Sequence, residues 1–234
     1  GLVAVVRIAD FLGVVAEREG QARAIAERLK VRWAMPPDLP DLDDIATTLR
    51  NLPSHKRMLA DRGDVDAAMA RARTTLRRTY SWPWQMHGSI GPSCAVADWR
   101  GDRLTIWSGT QNPHMLRGDI ARLMNVAPDV VEIVRHEAAG CYGRNCADDV
   151  CGDAALLSRA VGRPVRVQLT REQEHLWEPK GAAQLMDVAG CLSPEGDFDA
   201  YDFETRYPSN RGPNLALLLT GVVDPAPQPS DMGD

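Results

Sequence analysis

The fold of this chain is decided around one short segment, Ala139-Gly140-Cys141-Tyr142-Gly143-Arg144-Asn145. An apolar run of strand length, residues 130–134, precedes this segment, and a run with helical spacing, residues 148–160, follows it. This order can bring backbone N–H groups to face an anionic ligand, because glycine allows close approach and a helix N-terminus adds partial positive charge. Because Gly-x-x-Gly also forms plain tight turns, the pattern alone is a weak signal.

Two further polar segments strengthen this interpretation: Ser108-Gly109-Thr110-Gln111-Asn112-Pro113-His114-Met115-Leu116-Arg117 and Gly162-Arg163-Pro164-Val165-Arg166. Together the three segments resemble the molybdenum-cofactor-binding subunit of the xanthine dehydrogenase family, in its nicotinate dehydrogenase and isoquinoline oxidoreductase branch. The branch pattern of Thr-Gln-Asn-Pro-His, Gly-Cys-Tyr-Gly-x-Asn and Ala-Asp-Asp is present at residues 110–114, 140–145 and 147–149. The resemblance extends from residue 1 to about residue 207 and indicates a partial chain.

Composition is that of an ordinary globular protein. The 234 residues are 44% apolar and 25% charged, which is enough for one large or two modest domains with a buried core. A net charge of −5 gives no electrostatic support for nucleic-acid binding. No apolar run has the length of a membrane span, and the odd number of five cysteines favours a reducing compartment over a disulfide framework.

Hydrophobic periodicity predicts helices that alternate with strands. The predicted helices cover residues 17–30, 42–52, 64–73, 115–124 and 148–160. The predicted strands cover residues 3–6, 11–16, 31–33, 75–82, 96–99, 104–107, 130–134, 165–169, 184–188 and 198–207. Turns are expected at residues 100–102, 170–172 and 194–196. This pattern predicts an α+β protein with mixed sheets.

The resemblance divides the chain into four parts. Residues 1–50 are expected to form a partial α/β hammerhead unit, and residues 51–73 a connecting segment with a helix. Residues 74–224 are expected to form the first molybdopterin-binding α/β domain, and residues 225–234 a flexible tail rich in proline and acidic residues.

Gln111 is the first candidate site residue. A glutamine amide offers one acceptor and two donors without charge. The resemblance implies that Gln111 hydrogen-bonds next to an oxygen ligand of the molybdenum and has a catalytic role. Without the resemblance, a surface glutamine that satisfies a loop backbone group is the better interpretation.

The segment Gly140-Cys141-Tyr142-Gly143-Arg144 matches the glycine-rich cofactor loop of the family. The resemblance implies that its backbone approaches the pterin. The resemblance also implies a catalytic role for Tyr142, which stands where the family has a phenylalanine that stacks near the substrate. Its hydroxyl could also donate to a substrate heteroatom. Arg144 stands where the branch tends to have histidine. Contact with a cofactor phosphate and simple exposure to solvent are equally good interpretations of this arginine.

Other polar residues have a structural interpretation that outweighs the functional one. Iron–sulfur and zinc ligands are usually closer in sequence than Cys141, Cys146 and Cys151, so small buried thiols are the better interpretation. Asp148 and Asp149 are expected to cap a helix. His87 and His114 are expected to be structural, as are Arg163 and Arg166, which are expected to pair with Glu172 or Glu174. The motif Trp82-Pro83-Trp84 is expected to pack in a core.

The family reaction implied by the resemblance oxidises an N-heterocycle or an aldehyde with oxygen from water. Its cofactor is molybdenum-molybdopterin, expected in the cytosine dinucleotide form. Electrons leave through [2Fe–2S] clusters on a small partner subunit, and a cytochrome c subunit could receive them. The catalytic glutamate lies in a later domain, so we expect a partner chain or domain that carries it.

Two alternatives stay open on the sequence alone. The chain could be a non-catalytic scaffold that keeps the family fold without the cofactor. A thiol-based metal site on the three cysteines is a weaker idea. Neither nucleic acid nor a membrane span is expected. The expected location is cytoplasmic, and a periplasmic or membrane-associated assembly stays compatible with the sequence.

Overall fold

The computed structural model describes residues 1–34, 40–144, 148–208 and 212–225. These residues divide into two compact units. The first unit contains Gly1–Ala34, Met86–Lys180 and residues 212–225, and the second contains residues 40–85 and 181–208. Each unit is therefore built from segments that are distant in the sequence.

Helices and strands are intermixed along the described parts of the chain. The strands are β1 (Leu2–Ile8), β2 (Phe11–Ala16), β3 (Thr75–Trp82), β4 (Cys94–Arg100), β5 (Arg103–Ser108), β6 (Val131–Arg135), β7 (Val165–Gln168), β8 (Gln184–Leu192) and β9 (Phe198–Arg206). The helices are α1 (Glu19–Arg28), α2 (Ile45–Asn51), α3 (Val65–Arg71), α4 (Pro113–Met124), α5 (Asp149–Val161), α6 (Arg171–Trp177) and α7 (Leu215–Leu219).

The first unit is organised around a four-stranded sheet with the strand order β6-β5-β4-β7. Strands β5 and β6 are parallel, with α4 between them in the chain, while β4 is antiparallel to both β5 and β7. Residues of α4 and α5 share one buried core with the sheet, including Leu104, Ile106 and Ile120. The hairpin of β1 and β2 contributes Phe11 to this core. This arrangement confirms the predicted α+β class with mixed sheets.

The second unit is a three-stranded antiparallel sheet with the order β3-β8-β9. One sheet face packs Ala189 and Cys191 against Ala68 and Met69 of α3. Side chains alternate between the two faces of a strand, so neighbouring residues lie on the other face. Those residues include Tyr80, Trp82, Tyr201 and Phe203, all between 47% and 55% exposed.

Most predicted elements are present with boundaries close to those expected. The predicted strand at residues 31–33 is wrong, because these residues have no regular structure. The turn predicted at residues 170–172 is instead the start of α6, where Thr170 and Gln173 form a capping box. Helix α7 was not predicted, because five residues are too few to show a helical period.

Three structural expectations are wrong. Trp82 and Trp84 are 49% and 37% exposed and do not form a core. Asp148 makes no capping hydrogen bond at the start of α5. Arg166 pairs with Glu19, while both carboxylate oxygens of Glu174 bond to Ser93. Cross-strand and long-range pairings of this kind depend on the tertiary fold, which local sequence does not specify.

The predicted domain boundaries stay a prediction. Of the predicted tail at residues 225–234, only residue 225 lies inside the described residues. None of the described helices has the length and apolar character needed to cross a membrane.

Candidate functional site

The glycine loop, residues 139–144, lies between β6 and α5 in the chain. Gly140 has φ of +108° and Gly143 has φ of +110°, a region that residues with side chains rarely adopt. A Cβ atom on Gly143 would also lie 3.0 Å from Cδ2 of His87. The loop conformation therefore requires glycine at both positions.

Gln111 lies beyond the end of β5 and reaches the glycine loop with its side chain. Its Nε2 donates to the Gly143 carbonyl at 3.3 Å, and its Oε1 accepts from the Cys141 thiol at 3.4 Å. The residue itself is exposed. The structure thus brings Gln111 together with two of the predicted loop residues, which are separated from it by about 30 positions in the chain.

Arg144 and Asp148 flank the end of the glycine loop. Arg144 Nη2 lies 3.8 Å from Asp148 Oδ2, and the hydroxyl of the buried Thr110 hydrogen-bonds to the Asp148 carboxylate. Burial raises the pKa of Asp148, while Thr110 and Arg144 oppose that shift. Arg144 Nε and Asp148 Oδ1 are buried without a hydrogen-bond partner among the described residues. Unpaired buried polar atoms are costly, which marks this position as one suited to a polar ligand.

A second loop, residues 87–93, supports the glycine loop and is called here the histidine loop. The Gly91 N–H donates to the Ala139 carbonyl at 3.2 Å, and the Ser89 hydroxyl donates to the Arg144 carbonyl at 3.3 Å. These two bonds hold both ends of the glycine loop.

Helix α6 anchors the histidine loop with buried carboxylates. Glu174 is 1% exposed and accepts from the Ser93 N–H and hydroxyl, each at 2.8 Å. Glu178, at the end of α6, is 4% exposed and accepts from His87 and from the Gly88 N–H. Sequence reasoning missed Glu178 and expected Glu174 to pair with an arginine and not with Ser93. The capping box and the four-residue spacing could have indicated a helix with two glutamates on one face.

Arg171 of α6 completes the support of the histidine loop. Its Nη2 donates to the carbonyls of Ser89 and Ile90 at 2.7 and 2.6 Å. Both backbone oxygens therefore accept a hydrogen bond from a side chain of α6. Glu178 holds His87 through its backbone N–H and its Nδ1.

The remaining predicted site residues differ in accessibility. The Tyr142 side chain is 59% exposed and accessible to a ligand. Cys141 is exposed, whereas Cys151 is fully buried in the core, and Cys146 lies outside the described residues. In the described part of the chain, no group of three or more histidine, cysteine, aspartate or glutamate side chains could hold a metal ion.

The site combines a glycine loop with positive φ angles, an amide side chain across it and a guanidinium at its end. These are groups that bind oxygen-rich or anionic ligands. Residues 50–217 match the family model of the molybdopterin cofactor-binding domain, and this chain belongs to that family.

Two curated relatives support the assignment. The chain is 60% identical to a nicotinate dehydrogenase subunit of Pseudomonas putida, over all of this chain and 20% of that protein. It is 32% identical to the aldehyde oxidoreductase molybdenum-binding subunit PaoC of Escherichia coli K12, over 68% of this chain and 22% of that protein. The chain thus spans about a fifth of the length of these relatives.

A solved structure has the same fold. Quinoline 2-oxidoreductase from Pseudomonas putida 86 superposes with a TM-score of 0.68 and 21% sequence identity. The alignment covers 83% of this chain and 27% of that protein chain.

Proposed function

We propose that this chain is part of the large subunit of a molybdenum hydroxylase and forms one part of its cofactor site. The observation that carries the proposal is the bridge that Gln111 makes to Gly143 and Cys141 across the glycine loop. The family membership and the relative named as a nicotinate dehydrogenase subunit support it.

The residues present fit a molybdenum-molybdopterin group. The Arg144 guanidinium has a buried Nε without a described partner, which suits a phosphate or another anionic group. Gly140 and Gly143 lack a Cβ, so that the backbone can approach a flat ring closely. When bound, the cofactor supplies the two-electron oxidising centre of the reaction.

Each predicted site residue has a distinct role in this proposal. Gln111 orients the bound group through its amide, and the backbone of Gly140, Cys141 and Gly143 contacts the group. Tyr142 presents an exposed ring and hydroxyl to an aromatic or carbonyl substrate. Arg144 pairs with the cofactor phosphate.

The substrate class is an N-heterocycle or an aldehyde, oxidised with oxygen from water. The relatives named for nicotinate and aldehyde support this range. We propose the cytosine dinucleotide form of the cofactor, a small subunit with [2Fe–2S] clusters, and a chain or domain that carries the catalytic glutamate. A cytochrome c subunit completes the proposed electron route.

The test is Gln111→Ala in the natively purified assembly, with molybdenum content and turnover as the readouts. We expect turnover to fall about 10- to 100-fold, the usual loss when a group next to a metal ligand is removed. The melting temperature should hardly change, because Gln111 is exposed. The matched control is Gln168→Ala, an exposed glutamine whose side chain bonds to Arg166.

Two results would count against the proposal. A wild-type assembly without molybdenum would favour the non-catalytic scaffold. Unchanged turnover in a molybdenum-loaded Gln111→Ala assembly would remove this residue from the site.

A further inference from the structure

We propose that His87 is a positioning residue of the cofactor site, oriented by Glu178 so that its Nε2 accepts a hydrogen bond from a group held at the glycine loop. This inference rests on the proposed function. It assigns a role to a histidine and a glutamate that lie outside the predicted site segments.

The first step is the buried carboxylate of Glu178. Its side chain is 2% exposed and accepts at Oε1 from the His87 N–H at 2.5 Å and from His87 Nδ1 at 2.7 Å. Its Oε2 accepts from the Gly88 N–H at 3.1 Å. A buried carboxylate is stable only when such donors surround it. The imidazole is therefore held in one orientation.

The second step is the tautomer that this contact imposes. Because an ionised carboxylate accepts only, Nδ1 must carry the proton in the bond to Glu178. In the neutral ring, Nε2 is then an acceptor. The same carboxylate–histidine arrangement orients histidines in metal sites. There one ring nitrogen donates its N–H to the carboxylate and the other nitrogen binds the metal.

The third step is the direction of Nε2. The ring atoms nearest to a Cβ built on Gly143 are Cδ2 at 3.0 Å and Nε2 at 3.4 Å, so this edge of the ring faces the glycine loop. The His87 side chain retains 19% exposure. Among the described residues, the ring makes one hydrogen bond, from Nδ1 to Glu178. Nε2 thus lies beside the loop backbone, where the neutral ring can accept from a ligand N–H or O–H.

Glu174 provides an internal comparison. It is also buried, lies one turn earlier on α6 and anchors the same loop, but its two oxygens bond to Ser93 and not to His87. A purely structural role for the two glutamates predicts similar consequences when either is changed. The positioning role predicts that a change at Glu178 lowers cofactor binding and that a change at Glu174 does not.

The experiment compares His87→Gln with His87→Asn in the natively purified assembly. A glutamine amide can place an acceptor near the position of Nε2, whereas an asparagine amide can keep only the donor near Nδ1 that bonds to Glu178. We expect His87→Asn to lower the affinity for the molybdenum cofactor about 10-fold or more and His87→Gln to retain most of it. The readout is molybdenum and pterin per assembly after dialysis, together with the melting temperature.

The glutamates supply the second comparison. Glu178→Gln should lower the cofactor content, and Glu174→Gln should leave it unchanged even where both lower the melting temperature. Loss of cofactor in His87→Gln with retention in His87→Asn would overturn the inference, because the bond to Glu178 would then matter and the acceptor at Nε2 would not. Equal loading of all variants would also overturn it. Absence of molybdenum in the wild-type assembly would instead overturn the proposed function and this inference together.

Discussion

At the scale of single residues, several aspartates on α5, at its start or on the neighbouring α4 are partly buried. Burial raises the pKa of Asp119, Asp148 and Asp149, although neighbouring arginines or N–H donors oppose each shift. For Asp153, burial and then the charge of Asp149 raise the pKa to about 7. The folded protein therefore holds protons in a pH range where the unfolded chain releases them.

This protonation predicts that stability falls as the pH rises. An unfolded aspartate has a pKa of about 3.9, so between that value and about 7 the folded state binds more protons at Asp153. The contribution is fully present below the unfolded pKa and is lost as the pH rises through the folded pKa. Asp153→Asn should therefore be more stable than the wild type at about pH 8, on the order of 2 kcal/mol, and similar at about pH 4.

Urea unfolding at both pH values measures this difference. The control is Asp102→Asn, in the exposed turn between β4 and β5, which should leave the pH dependence of the wild type in place. A pH profile of Asp153→Asn that parallels the wild type would show that Asp153 is ionised in the folded protein.

At the scale of elements, Gly152 allows α5 to approach the segment that begins α7. A Cβ at this position would lie 2.6 Å from Asn214 Oδ1 and 2.9 Å from the Ala216 Cβ. Asn214 Oδ1 accepts from the Ala216 N–H and caps α7, while Asn214 Nδ2 donates to the Asp148 carbonyl. The glycine is therefore a packing requirement and not a weakness of the helix.

Gly152→Ala should destabilise the protein by about 1–3 kcal/mol, because the methyl group displaces the Asn214 cap. The matched variant is Gly118→Ala in α4, where an added Cβ meets nothing within 4 Å. There the usual gain of roughly 0.5–1 kcal/mol for alanine over glycine in a helix should be observed. Thermal unfolding compares the two variants. Equal stabilisation by both would contradict the close approach of α5 and Asn214.

At the scale of the whole molecule, the two units differ in how much they bury. The core of the first unit includes twenty described residues, whereas that of the second includes five. Strand β3 is exposed along its length. Local stability follows buried apolar contact, so the second unit should open more easily than the first.

Hydrogen exchange should therefore be slower by at least about tenfold for the amides of β4 and β5 than for those of β3. Peptide-resolved mass spectrometry of the purified chain measures both sets in one experiment. Equal protection of β3 and of the sheet in the first unit would mean that burial within each unit does not determine its opening.

Most helices and strands could be predicted from the sequence, because their signals are local. Periodicity identified α4 and α5, and Arg100-Gly101-Asp102 correctly marked the turn between β4 and β5. The candidate site was predicted through a family pattern, and the structure brings Gln111 to the loop at Gly143. The catalytic and cofactor-binding roles of Gln111, Tyr142 and the loop stay predictions.

Most element types, the turns at residues 100–102 and 194–196 and the family of the cofactor-binding region were readable from the order of the residues. The orientation of His87 by Glu178, across 91 positions of the chain, and the pairing of β3 with β8 became visible only in the folded protein. The reason is physical. Helical period and glycine conformation act over a few residues, whereas a buried carboxylate finds its donors only when the fold has closed around it.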